Sequence, residues 1–154
     1  MKKLVVTVCV LSVALLSFGQ QVDKSRLQVN AGVGLSTWGF PVYLGADYWV
    51  NQDITVGLEA SFRFGFNHYT RIGGLVNANY HVNRLLELPE KFDLYGGISI
   101  GPFISLYRYS SPSFYLGAGL QIGGRYYIND KLAFNVEVGG GTLTGGKAGI
   151  TFRF

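Results

Sequence analysis

From Ile54 to Phe66 the chain reads Ile-Thr-Val-Gly-Leu-Glu-Ala-Ser-Phe-Arg-Phe-Gly-Phe, apolar at every other residue with a polar residue or glycine between. A period of two gathers the apolar set on one face of an extended strand. At about 3.3 Å per residue the run extends roughly 43 Å, and at a tilt near 45° it projects to about 30 Å, the thickness of a bilayer's hydrocarbon core.

The same alternation recurs between turn signals along most of the chain. Eight strands are expected: Leu27 to Ser36, Val42 to Val50, Ile54 to Phe66, Tyr69 to Val82, Phe92 to Tyr107, Phe114 to Ile128, Leu132 to Gly140 and Lys147 to Phe154. A weak repeat supports the count, because Tyr48-Trp49-Val50-Asn51, Tyr80-His81-Val82-Asn83 and Tyr126-Tyr127-Ile128-Asn129 each close an even-numbered strand. Asn and Asp tolerate the left-handed backbone of tight reversals, so these sites mark one edge of the sheet. The connection Asn83 to Lys91, which carries Pro89, is the longest and holds the one short segment that could be helical.

The first residues read as a leader. Lys2 and Lys3 precede an apolar stretch from Leu4 to Leu16, and Ser17 and Gly19 supply the small residues of a cleavage site. A signal peptide over 1–19 and a barrel domain over 20–154 are therefore expected; the apolar stretch is shorter than the roughly 20 residues a membrane helix needs. The single cysteine, Cys9, falls in the leader, so the mature chain has neither disulfides nor a cysteine-based metal site. Without Lys2 and Lys3 the formal charge drops from +4 to +2, which gives a nucleic-acid partner no support. No cofactor is expected.

Which face points inward is decided by the polar one. It carries glycine at Gly34, Gly45, Gly57, Gly65, Gly73, Gly97, Gly101, Gly117, Gly119, Gly123, Gly139 and Gly149, small residues that suit the crowded inside of a narrow barrel. It also carries Asp47, Glu59, Asp93 and Glu137 against Arg63, Arg71, Arg125, Lys147 and Arg153, a nearly balanced set expected to form an interior ion-pair network. His81 joins that face. The opposite face, from Leu27 and Val29 through Leu58 and Ile100 to Ile150, has no charge. A soluble barrel would use these residues as its core, but a charge at the bilayer midplane costs about 2–4 kcal/mol, so a charge-free face is what a membrane demands.

Aromatics are expected as two girdles: Tyr48, Trp49, Tyr80, Phe92, Tyr126, Tyr127, Phe152 and Phe154 at one set of strand ends, and Phe64, Phe66, Tyr69, Tyr107, Tyr109, Phe114 and Tyr115 at the other. Since an open sheet edge in hydrocarbon leaves backbone groups unpaired, strand eight must pair with strand one. The fold class is an all-β, eight-stranded antiparallel up-and-down transmembrane barrel.

In these respects the chain resembles the small eight-stranded outer-membrane barrels of Gram-negative bacteria, the OmpX and OmpA transmembrane-domain type. The resemblance spans Leu27 to Phe154 and is most specific in Gly149-Ile150-Thr151-Phe152-Arg153-Phe154, which alternates to a terminal aromatic. It implies that Phe154 is the signal read by the barrel-assembly machinery, and that the protein is a monomer among outer-membrane lipids with no cell-wall-binding domain after Phe154. A structural or surface-interaction role follows, with an unidentified extracellular or periplasmic protein as a further partner. Some outer-membrane barrels are lipid A acylases or deacylases, and His68 near Ser110, Ser111 and Ser113 is the only constellation offering that alternative; a narrow pore is the other. No catalytic, cofactor-binding or metal residue is assigned. Leu85, Leu86 and Leu88 in the long connection are read as packing on the membrane interface. An inward Arg63 predicts that Arg63→Ala lowers the thermal stability of the protein in detergent; an unchanged melting temperature would count against that placement.

Overall fold

The two-residue period becomes a wall with an apolar outside and a polar inside. The structure, a computed structural model, describes residues 26–37, 39–65, 69–141 and 145–154, so the expected leader, Phe66 and His68 lie outside the described residues. The strands are β1 (Leu27–Leu35), β2 (Phe40–Trp49), β3 (Ile54–Phe64), β4 (Tyr69–His81), β5 (Phe92–Tyr107), β6 (Ser113–Tyr127), β7 (Leu132–Gly141) and β8 (Gly146–Arg153). Each pairs antiparallel with its sequence neighbours, and β8 closes on β1, giving a barrel without a free sheet edge along its length.

Register fixes the tilt. Hydrogen-bonded or paired positions run from Arg26 through Trp49, Thr55, Asn79, Gly97, Gln121, Gly139 and Gly145. From Gly145 the β1–β8 register returns to β1 at Ser36, ten residues beyond the start. For eight strands that shear sets the tilt at about 40° and leaves an interior only as wide as the side chains that fill it.

At the end away from the termini, Ser36 and Gly39 exchange backbone hydrogen bonds of 3.0 and 3.1 Å, with Gly39 at φ 121°. This lets β2 begin at Phe40, two residues earlier than the alternation suggests. The Asn83–Lys91 connection makes a single turn and no helix. Leu88 N–H donates to Asn83 O (2.9 Å) and Glu87 N–H to Arg84 O (3.4 Å), with Glu87 at φ 49°. That pair of bonds terminates a helix, and Pro89 cannot extend one.

The outward positions carry no charged residue, and Leu58, Val76, Ile98, Leu120 and Ile122 are all at least half exposed. Three residues expected in the girdles turn inward instead. Tyr127 is buried, Tyr115 stacks on Phe103 with ring centroids 5.3 Å apart, and Trp49 lies 4.1 Å from the His81 ring. Their parity along the strand, shared with Asp47 on β2 and Arg125 on β6, outweighs their nearness to strand ends.

The inward glycines now have a specific use. The Tyr95 ring occupies the space a Cβ of Gly123 would fill, the Phe103 ring does the same at Gly73, and the Tyr43 hydroxyl lies against Gly32 and Gly149. Gly123→Val should therefore displace Tyr95 and cost about 1–3 kcal/mol, as overpacking of a filled interior does. Urea unfolding in micelles would measure it, with Gly140→Ala, where the added methyl meets nothing within 4 Å, as the near-neutral control.

Candidate functional site: the charged interior

Arg125, on β6 and 4% exposed, organises the half of the interior nearer the chain termini. Its Nη2 lies 2.7 Å from Asp47 Oδ2 and its Nη1 3.2 Å from Asp93 Oδ2, while Nη1 also donates to Gln28 Oε1 at 3.1 Å. The guanidinium stacks 4.7 Å from the Tyr95 ring. Its partners come from β2, β5 and β1, so one side chain ties together strands that are not neighbours. Removal of these charges from water is tolerable only because every one of them has partners.

Two chains of hydrogen bonds leave this centre. Asp93 Oδ1 engages His81 Nδ1 at 2.6 Å, and His81 Nε2 lies 3.1 Å from Thr55 Oγ1. On the other side Asn30 donates to Asp47 (2.7 Å), Thr151 to Asn30 (2.7 Å), Asn135 to Thr151 (2.9 Å) and Tyr43 to Asn135 (2.7 Å). These bonds lace β1, β2, β7 and β8 across the interior.

A second ionic centre sits about mid-depth. Lys147 Nζ lies 2.8 Å from Glu59 Oε2 and 2.7 Å from Glu137 Oε1, and Tyr95 donates to Glu137 Oε2 at 3.0 Å. Glu59 thus reaches across the barrel to Lys147 on β8. The space among Asp47, Glu59, Asn77, Tyr95, Arg125 and Lys147 is about 20 Å³, enough for about one water molecule.

Toward the far end, Arg63 and Arg71 are both buried and stand directly opposite each other on β3 and β4. Arg71 Nε donates to Ser105 Oγ at 3.1 Å, and its guanidinium lies 4.9 Å from the Tyr115 ring. Arg153 lies 4.2 Å over the Tyr127 ring at the terminal end. Phe154 is exposed on the outside and meets Phe152 edge-on at 5.1 Å. All nine charged residues have the parity of the inner face, and Tyr95, stacked on Arg125 and bonded to Glu137, joins the Arg125 and Lys147 centres.

Sequence reasoning passed over the neutral members: Tyr43, Tyr95, Asn30, Asn135, Thr55 and Thr151 hold the charged groups in place. All but Asn30, whose strand β1 carries no charge, have the parity of the charged residues on their own strand, which is the signal that marks them. Ser110, Ser111 and Ser113 are exposed at the β5–β6 hairpin. Among the described residues no group of three or more His, Cys, Asp or Glu is placed to hold a metal ion.

Solved structures with a similar fold include outer-membrane proteins. The N-terminal barrel domain of Pseudomonas aeruginosa OprF aligns with a TM-score of 0.66 at 13% identity, covering 85% of this chain and 98% of that one. Neisserial surface protein A aligns at 0.63 with 14% identity, covering 83% and 96%, and Yersinia pestis Ail at 0.56 with 15% identity, covering 85% and 100%. The fold is that of a small outer-membrane β-barrel. No family model matches the sequence, and neither does any curated protein. At these identities the likeness concerns the fold, so the barrel's activity rests on its own interior.

Replacing Arg125 by Met in this barrel leaves Asp47 and Asp93 buried without their cation. A loss of about 3–5 kcal/mol is expected, read as a lowered urea midpoint in micelles. Lys147→Met should cost less, because the Lys147 side chain retains 16% exposure.

Proposed function

We propose that the protein is an integral outer-membrane barrel with a structural or surface-interaction role, its termini in the periplasm and its interior closed. The leader expected at 1–19 supplies export, and the aromatic end of β8 at Phe154 supplies the signal for the assembly machinery. The observation that carries the reading is the filled lumen: two carboxylates grip Arg125, two grip Lys147, and the space between them is about that of one water molecule. A lumen occupied in this way conducts poorly, because ions would have to displace paired charges at several kcal/mol each.

The lipid-modifying alternative finds little to work with in the described residues. Thr55, His81 and Asp93 do form a hydroxyl–imidazole–carboxylate chain, the connectivity of an activated nucleophile. All three are 2% exposed or less, so no acyl substrate reaches the hydroxyl. The chain serves better as a brace joining β3, β4 and β5.

Mass spectrometry of lipid A from cells with and without the protein should show identical acylation, and planar bilayers should show no stepwise conductance. A shift in acyl composition would replace the structural reading with the enzymatic one, and discrete current steps would replace it with the pore. Migration that changes on heating would check the barrel itself.

A further inference from the structure

Two buried polar atoms beside the Arg125 centre lack a protein partner, and both belong to residues that border one cavity. Arg125 Nε and Asn77 Oδ1 meet no hydrogen-bond partner among the described residues. Both residues line the space of about 20 Å³ between the Arg125 and Lys147 centres. The hydrogen bonds that Asp47 accepts from Asn30 and Arg125 end on Oδ2, and its Oδ1 turns to Gly57. Gly57 stands between Asp47 and Asn77 in the register of β2, β3 and β4. Asp47 Oδ1 and Asn77 Oδ1 both lie against the position its Cβ would take, so two acceptors converge over a residue without a side chain.

The donor has a direction too. In a guanidinium Nε–H and Nη2 share one edge, and Nη2 here meets Asp47 at 2.7 Å, so the Nε–H opens toward the same carboxylate. A polar atom held out of water without a partner bears its full desolvation cost, which makes these atoms demanding neighbours. A cation between them would suit the two oxygens but would face a positively charged N–H. An anion would suit the N–H but would face a carboxylate. Water answers both, because it accepts one hydrogen bond and donates two. Three bonds are the usual number for a buried water, and the volume is that of about one molecule.

We propose that the cavity is a built hydration site, in which one long-lived water accepts from Arg125 Nε and donates to Asp47 Oδ1 and Asn77 Oδ1. The water takes the place of the side chain that Gly57 lacks. It ties Asp47 on β2 to Asn77 on β4 across β3, on the wall side of the lumen, while Tyr95 joins the Arg125 and Lys147 centres from within. Asn77 is then a positioning residue for the Arg125 centre although it touches none of its charges directly. The site rests on the closed interior proposed above. Conductance tests that closure, whereas contact between Arg125 and a resident water tests the site, so the two can fail separately.

Nitrogen-edited NMR of the protein in perdeuterated micelles should show a cross-peak between water and the Arg125 Nε proton. Its laboratory-frame and rotating-frame effects should have opposite signs, the signature of a bound water and not of proton exchange. Gly45→Ala directs a methyl into the same cavity, where the nearest atom, Leu58 O, is 3.1 Å away, and leaves every polar group in place. It should weaken the cross-peak about threefold or more by displacing the water. Asn77→Leu, which removes one acceptor, should do the same; if that variant does not fold, Gly45→Ala still decides. A signal relayed through the exchanging Tyr95 hydroxyl would persist in Gly45→Ala, and persistence would overturn the proposal. So would the absence of any cross-peak in the folded protein, a peak with the sign of exchange alone, or slowly exchanging Asn77 amide protons without water contact, which would mean a direct bond to Asp47.

Discussion

Eight strands closing with a register shift of ten residues enclose a space that only side chains can fill, and most features of this protein follow from that width. A wider barrel could leave water inside. Here every inward residue either fills volume or makes room for a neighbour's filling. That is why the inner face combines glycines with tyrosines: the Tyr95 ring lies where a Gly123 side chain would be, and Phe103 lies likewise at Gly73. It is also why the charges come in groups around a shared cation. With so little space for water, each carboxylate must find its partner on an opposite strand, and Arg125 and Lys147 are long enough to serve two acids each.

The wall was legible in the sequence and the contacts inside it were not. Period two identifies the strands from Ile54 onward and assigns Glu59, Arg63 and their counterparts to the inner face, because alternation is a local property that no tertiary contact needs to supply. Strand ends came within about two residues, the misses lying where a turn such as Ser36–Gly39 brings the chain straight into the ladder. Trp49, Tyr115 and Tyr127 were assigned to the girdles by their place near strand ends, although their parity already placed them inside. Pairing is another matter. Glu59 meets Lys147 eighty-eight residues away across the lumen, and Asp47 meets Arg125 at a separation of seventy-eight. Those distances depend on shear and rotamer together, and sequence spacing carries neither.

The interior charges are also sorted along the barrel axis. All four inward carboxylates lie at or below mid-depth, where Arg125 and Lys147 gather them, while Arg63 and Arg71 face each other at the far end. Like charges placed directly opposite on paired strands work against stability. Moving one carboxylate of the lower groups up to this level would relieve the repulsion, but it would leave Arg125 or Lys147 with a single acid. Arg71 is held there by the Ser105 hydroxyl at 3.1 Å and by the Tyr115 ring at 4.9 Å.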